Sequence, residues 1–342
     1  MTEEPRYGVL VVGAGFIADA HIQAITVDPR AELVGLVDVD PGRAMAFSYS
    51  HGGVRWTADL DTALGWPEVD AVIVCTPNMT HASIAEQVVR AGKHLLVEKP
   101  LATTVADARQ AARRFADAGL TLAAAHTHRC YDYGMAVKDA IDEGVVGQPL
   151  LARLAILGSW IWPDWRAWVL DPAKSGGHSL HNGVHLLDLA TWWLGDEPVS
   201  IYARGQKQSS AALRIYDHLD MTVTVANGAT ASCEMSRAHR PAGFGARELL
   251  VAGTDGVLSQ DWDGESSLLF SDQGLQAVPA VGGNGFARQL SAWLDSIEGA
   301  EPVMPTADAV RAVALGVAAE LSIARREPVM LEEVLDLTGA SV

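Results

Sequence analysis

Cysteine is scarce in this chain. Cys75, Cys130 and Cys233 are the only thiols in 342 residues. No two stand at metal-ligand or redox spacing, and an odd number cannot pair completely. The expectation is reduced, mostly buried thiols in a cytoplasmic protein rather than a disulfide framework. Long apolar runs are missing too. No window approaches the roughly 18 apolar residues of a membrane span. The opening MTEEPRYGVLVVGAG begins acidic and its apolar stretch is short, so no signal peptide is expected. Positive charge is in deficit: 25 Lys and Arg stand against 42 Asp and Glu, a net charge of −17. Long-range repulsion therefore opposes nucleic acid and acidic membrane surfaces as partners. It does not oppose one small anion held by local groups. Internal repeats and low-complexity tracts are absent.

What is present reads as two well-filled domains. Hydrophobic residues make up 49% of the chain, and the length exceeds one ordinary domain. Tyr7–Val12 (YGVLVV) is a continuous, β-branched run suited to a strand buried on both faces of a parallel sheet. It leads into Gly13-Ala14-Gly15-Phe16-Ile17-Ala18, a G-x-G-x-x-A turn followed by helical spacing. Such a turn is tight at Gly13 and bare at Gly15, so a pyrophosphate can approach amides at a helix start. A second run, 31–37, ends at Asp38, which lies 23 positions past Gly15, near the spacing of about 20 expected for an acid on the adenosine ribose. A carboxylate there favours NAD over NADP, with nearby Arg43 keeping NADP open.

Alternation continues through a strand at 69–75, Thr76-Pro77-Asn78, a helix at 81–91, a strand at 94–97 and Glu98-Lys99-Pro100. A last strand is expected at 121–125. This predicts a doubly wound parallel sheet over 1–125. Asp38, Thr76–Asn78 and Glu98–Lys99 all fall at strand ends, where such sheets bind ligands. Residues 126–342 read differently. Helices are expected at 135–143 and 179–194, and strands at 150–157, 199–206, 212–226, 230–237, 248–252 and 257–261, with Asn227-Gly228 as a hairpin turn. Two late helices, at 285–298 and 306–325, are able to pack back on the first domain. The prediction is an α/β protein: an N-terminal Rossmann domain and a C-terminal α+β domain with an open, mainly antiparallel sheet.

Three imidazoles, His178, His181 and His185, fall within SGGHSLHNGVH. On one helix they share a face, a geometry open to metal binding, proton transfer or packing. No His-Glu-x-x-His motif is present, and Asp188 suits an imidazole partner as well as an ion. We read the segment as proton-transferring and substrate-binding, with no metal site expected. A helix start disfavours a positive imidazole, so His181 is expected neutral, able to donate one hydrogen bond and accept another. Just upstream, WIWPDWRAW holds Trp160, Trp162, Trp165 and Trp168. Trp165 and Arg166 are candidate substrate contacts, the aromatic against a sugar ring and the guanidinium against an acidic group. His126, His128 and Arg129 follow a strand end and are candidate pocket residues.

GAGFIA, Asp38, TPN with His81, EKP and SGGHSLHNGVHLLDLATWWLG, in that order, resemble the Gfo/Idh/MocA oxidoreductases. The resemblance implies NAD(P)-dependent oxidation or reduction of a hydroxyl on a sugar, cyclitol or related polyol. It implies a homodimer or homotetramer formed through the C-terminal sheet. Lys99 matches the lysine that contacts substrate and cofactor, and His185 the histidine that exchanges the substrate proton. Thr76, Asn78, His81 and Glu98 match positions along the cofactor path, beside Gly13, Gly15, Phe16, Ile17 and Asp38. One position departs: four residues before the histidine, where the family most often carries Asp, this chain has His181. Two other readings of the same resemblance are a redox-neutral, NAD-dependent glycoside-cleaving enzyme and a non-catalytic NAD-binding sensor.

Overall fold

The computed structural model describes residues 7–160, 167–241, 243–261, 266–271, 274–279 and 284–336. It divides into two compact units. The first comprises Met1–Ala102, Asp107–Cys130 and Asn284–Val310, and the second Thr103–Ala106, Tyr131–Gly283 and Arg311–Val342.

Six parallel strands form the first sheet: β1 (Tyr7–Val12), β2 (Ala31–Val37), β3 (Trp56–Thr57), β4 (Ala71–Val74), β5 (His94–Val97) and β6 (Leu122–Ala124). Their spatial order is β3-β2-β1-β4-β5-β6, the doubly wound order whose direction of growth reverses between β1 and β4. Val9, Leu10, Val11 and the whole of β4 are buried, as the unbroken apolar runs require. Helix Phe16–Val27 turns Ala18, His21, Ile22 and Ile25 inward. Helix Gly285–Ile297 adds Leu290, Trp293 and Leu294 to the same cluster. Each fully buried side chain of that kind contributes about 1.5–3 kcal/mol.

The second sheet has nine strands: β7 (Pro149–Ser159), β8 (Pro198–Gln206), β9 (His218–Val225), β10 (Thr230–His239), β11 (Gly245–Gly253), β12 (Gly256–Asp261), β13 (Ser266–Ser271), β14 (Gly274–Pro279) and β15 (Val329–Met330). Their order is β14-β13-β12-β11-β7-β10-β9-β8-β15. Only β7 and β10 pair in parallel; the other described pairs are antiparallel. The expected fold class is thus borne out. Period-two alternation separates the faces. Leu219, Met221, Val223, Ala231, Cys233 and Met235 are buried on one side, where helix Val184–Leu194 packs on β7 and β10. Asp220, Thr222, Ser232 and Glu234 occupy the other. The Asn227-Gly228 hairpin joins β9 to β10, with the Ala229 amide donating to Asn227 Oδ1 at 2.9 Å.

Three expectations need correction. The strand expected over 212–226 starts only at His218. Buried Asp217 accepts the Gln208 and Ser209 amides, each at 2.7 Å, and this folds the preceding stretch into a loop. The helix expected over 179–194 is broken: Ser179–Gly183 is a π-helical turn, and regular α-helix runs from Val184 to Leu194. β13 and β14 extend the sheet beyond the last strand expected from sequence. All three thiols are buried and free, in line with the cysteine count.

Within the first unit, Arg129 is buried and its Nη1 lies 2.8 Å from Asp308 Oδ2 and 3.1 Å from the Val303 carbonyl. These contacts fasten the segment after β6 to the first turn of helix Thr306–Arg325 and to the residues before it. A buried charge left without its partner is costly, whereas replacing both partners by apolar groups is often neutral. Arg129→Met should therefore lower stability by about 3 kcal/mol, and adding Asp308→Leu should restore most of the loss. Urea unfolding midpoints of the two variants check this; equal destabilisation by both would refute it.

Candidate functional site

The carboxyl ends of β2, β1, β4 and β5 lie side by side. The Gly13 amide donates to the Val37 carbonyl, that of Cys75 to Val12 and that of Glu98 to Val74, at 2.7, 2.7 and 2.8 Å. These bonds carry the ladder past the strand ends, so the loops that follow start from one rigid edge. Gly13 turns with φ 98°, and a Cβ there would sit 2.8 Å from the Cys75 carbonyl oxygen. Only glycine meets both demands. A Cβ on Gly15, by contrast, would meet no protein atom within 4 Å.

Helix Phe16–Val27 begins at Gly15 without a side-chain cap. Elsewhere Asp40, Asp59 and Asn284 take the first amides of their helices. Here the first-turn amides face the open space above Gly15. Phe16 is 91% exposed and Ile17 half-buried beside them. Open glycine backbone over uncapped amides fits a dinucleotide pyrophosphate.

Asp38 follows β2 and is buried. Its carboxylate accepts the Ala14 and Asp40 amides, both at 2.9 Å, and the Arg43 guanidinium at 2.9 and 3.0 Å. Burial pushes its pKa up, but Arg43 and the two amides outweigh it and hold the carboxyl below its ordinary value. The Ala14 bond ties Asp38 to the glycine turn itself.

At the tips of β4 and β5 the polar groups are locked together. Glu98 is buried, and its Oε1 lies 2.8 Å from Nε2 of buried His21. Its Oε2 accepts the Lys99 amide at 3.2 Å. Burial alone would raise the Glu98 pKa; His21, then Lys99 and His81, bring it below the usual value. Lys99 is half-buried. Thr80 Oγ1 donates to Thr76 Oγ1 at 2.7 Å, and Asn78 is buried.

His81 is fully buried, with Nδ1 2.7 Å from the Pro100 carbonyl and Nε2 2.8 Å from that of Thr76. The ring thus joins the loop after β4 to the loop after β5. Burial lowers its pKa against the pull of the two carbonyls. His81 acts as a strut between these two loops.

The histidine segment of the second unit starts at Gly177, where φ is 91° and a Cβ would lie 2.3 Å from the Glu320 carboxyl. Glu320 Oε1 accepts the Ser179 amide at 2.9 Å. His178 is buried and its Nδ1–H donates to the Tyr216 carbonyl at 2.7 Å. His181 and His185 stay half-buried. The Trp168 ring meets His181 edge-on, with centroids 5.2 Å apart. The segment that carries the three imidazoles is thus a π-turn at Ser179–Gly183 running into the α-helix Val184–Leu194, not one regular α-helix. Asp188 is buried. His128 is half-buried beside buried His126 and Arg129. Trp165 and Arg166 lie outside the described residues. One group of ligand-type side chains comes within ligating distance among the described residues, His218 with Asp220 and Glu234; it includes none of the three imidazoles.

His21 and Glu320 escaped the sequence reading. Both left a signal: an ionisable residue set in an apolar stripe, at 21 beside Ala18, Ile22 and Ile25, and at 320 within AVALGVAAELSIA.

Comparison with known proteins agrees with this geometry. A family model described as an oxidoreductase family with an NAD-binding Rossmann fold matches residues 7–126, and the GFO/IDH/MocA C-terminal domain matches residues 135–259. Inositol 2-dehydrogenase 1 of Saccharopolyspora erythraea is 30% identical over 309 residues, covering 87% of this chain and 88% of that protein. The chain belongs to the Gfo/Idh/MocA oxidoreductases. Its first unit is the NAD-binding Rossmann domain of that family. Among other Gfo/Idh/MocA-like proteins, 1,5-anhydro-D-fructose reductase of Ensifer adhaerens is 29% identical, covering 92% of this chain and 94% of that protein. GenD2 from gentamicin A biosynthesis, solved in complex with NAD, superposes with a TM-score of 0.84 at 29% identity, covering 96% of this chain and 97% of that one. No described helix is long and apolar enough to cross a membrane.

Burial raises the Glu320 pKa above its ordinary 4.5, against the Ser179 amide. The fold thus favours the protonated acid. Its contribution is complete below pH 4.5 and is lost as pH rises through the higher folded value. Glu320→Gln keeps the acceptor for Ser179 and cannot ionise. As pH rises from 4.5 through the folded value, the melting temperature of the variant should gain on that of the parent. A gap that does not change with pH would show that Glu320 titrates normally.

Proposed function

We propose that this chain is an NAD-dependent dehydrogenase, or in reverse a reductase, acting on a secondary hydroxyl of a sugar, cyclitol or related polyol. The observation that carries this reading is Lys99 on a locked edge. The His21–Glu98 pair fixes its backbone beside the glycine turn and Asp38. The relatives named for inositol and for 1,5-anhydro-D-fructose support the substrate class.

Oxidising a secondary alcohol requires a base for the hydroxyl proton and a partner that fixes the carbinol. Bound NAD supplies the hydride acceptor. Gly13, Gly15 and the amides from Phe16 onward would hold its pyrophosphate, and Asp38 its adenosine ribose. Lys99 and His185 are the proposed proton-handling pair. His181, on the π-helical turn Ser179–Gly183, is the proposed substrate contact, and an imidazole there replaces the acceptor-only carboxylate usual at that position, so the hydroxyl it meets can serve as donor or acceptor.

A panel of cyclitols, aldoses and glycosides with NAD⁺, followed by absorbance of the reduced cofactor, tests the activity. Lys99→Ala should lower kcat by roughly 10²- to 10⁴-fold, with a much smaller change in NAD affinity by fluorescence titration. Undiminished turnover, or glycoside cleavage without reduced cofactor, would remove the dehydrogenase reading. Asp38→Ala should also release Arg43 to meet a 2′-phosphate. A charge-assisted hydrogen bond contributes about 1.5–3 kcal/mol, so the preference for NAD over NADP should fall about tenfold or more. An unchanged ratio of kcat/KM values would show that Asp38 does not read the ribose.

A further inference from the structure

The polar face of the second sheet carries a cluster that the redox chemistry does not use. His218 and Asp220 stand two residues apart on β9, so both project to one face. Glu234 on β10 lies directly opposite Asp220 in the antiparallel register. One ligand-type atom from each of the three lies within 4.8 Å of the others. His218 Nε2 is 3.6 Å from Asp220 Oδ2 and 3.7 Å from Glu234 Oε1.

These distances are too long for charge-assisted hydrogen bonds, which close to about 2.7–2.9 Å. They are close to the spacing between ligand atoms around a tetrahedral zinc ion, about 3.3 Å for bonds of 2.0–2.1 Å. The His218 side chain is only 9% exposed. Its Nδ1 is buried with no hydrogen-bond partner among the described residues. Its Nε2 is aimed between the carboxylates and makes no hydrogen bond there. The His239 ring packs edge-on against it at 6.3 Å.

Like charges directly opposite across a strand pair destabilise a sheet. Asp220 and Glu234 are such a pair, and neither meets a Lys or Arg among the described residues. Arg204 faces Asp220 across β8–β9 in register without an ion pair. Two carboxylates and a neutral imidazole offer a charge of −2, one nitrogen and two oxygens. That donor set matches a first-row divalent ion better than Mg²⁺ or Ca²⁺, which prefer oxygen alone.

We propose that His218, Asp220 and Glu234 bind one Zn²⁺-class ion that clamps β9 to β10 and leaves a coordination position to water. The test uses the full chain, stripped with a chelator, dialysed and titrated with ZnCl₂ by calorimetry. One saturable ion per chain is expected, with a rise in melting temperature that MgCl₂ does not reproduce. Asp220→Asn and Glu234→Gln should each weaken the affinity roughly tenfold or more, and together abolish the saturable site. Both side chains reach solvent, and removing their repulsion should leave the zinc-free double variant melting no lower than the zinc-free parent. Absence of saturable binding overturns the proposal. So does binding that persists unchanged in the double variant, which would place the ion on other histidines.

Discussion

A carboxylate buried at a strand tip is expensive, and much of the first unit is arranged around keeping one there. Glu98 follows β5 and is only 9% exposed. The imidazole of His21, itself buried in helix Phe16–Val27, takes one oxygen at 2.8 Å, and the Lys99 amide takes the other. One pair thus joins the helix that starts at the glycine turn to the loop that carries the lysine. Without His21 the carboxylate would protonate or turn outward, and either change would free the backbone at Lys99. The edge-on Phe286 ring, with its centroid 5.0 Å from that of His21, walls the pair from helix Gly285–Ile297. A residue 265 positions downstream in sequence therefore helps hold the geometry of an N-terminal motif.

The order of the strands explains why this effort is concentrated where it is. Successive loops of a doubly wound sheet leave opposite faces on either side of the reversal, and a crevice opens between β1 and β4. The glycine turn, Asp38, Thr76–Asn78 and Glu98–Lys99 all border that edge. His81 connects two of these loops through backbone carbonyls instead of reaching outward. Sequence placed this histidine near the cofactor because it travels with TPN. Coordinates give the physical reason for its company: the ring spans from Thr76 to Pro100.

The Rossmann half was legible because its signals are local. Continuous apolar runs marked β1, β2 and β5 to the residue, and Gly13 makes the positive-φ turn that its motif predicts. The second unit was less legible, since its deciding interactions are distant or non-periodic. Nothing in the composition of 212–217 announces that Asp217 will bond back to Gln208 and Ser209. The π-turn begins at Ser179, whose amide bonds Glu320, 141 residues away, and a helical wheel drawn through SLHNGVH assumes a regularity that the turn lacks. Helix Pro41–Ser50 was readable and overlooked: Asp40-Pro41 is a cap followed by the residue favoured at the first helical position. His21 and Glu320 show the most transferable signal, an ionisable residue inside an apolar stripe, which requires a partner wherever the fold buries it.

A chain of charge −17 still presents a place for a dinucleotide because the recognition is local and largely uncharged. The groups facing the space above Gly15 are backbone amides at a helix start, which bring partial positive charge without any Lys or Arg. Asp38, which accepts the Ala14 amide of the glycine turn, is paired with Arg43 at 2.9 Å. Its two oxygens accept four hydrogen bonds, from Ala14, Asp40 and Arg43, and the net local charge stays near zero. Repulsion from the remaining acidic surface is screened beyond about 8 Å at physiological salt, so it acts on extended polyanions and hardly on a ligand seated against the sheet edge. The same acidity that opposes extended polyanions is therefore compatible with an anionic cofactor, provided that helix Phe16–Val27 starts without a side chain of its own on those amides.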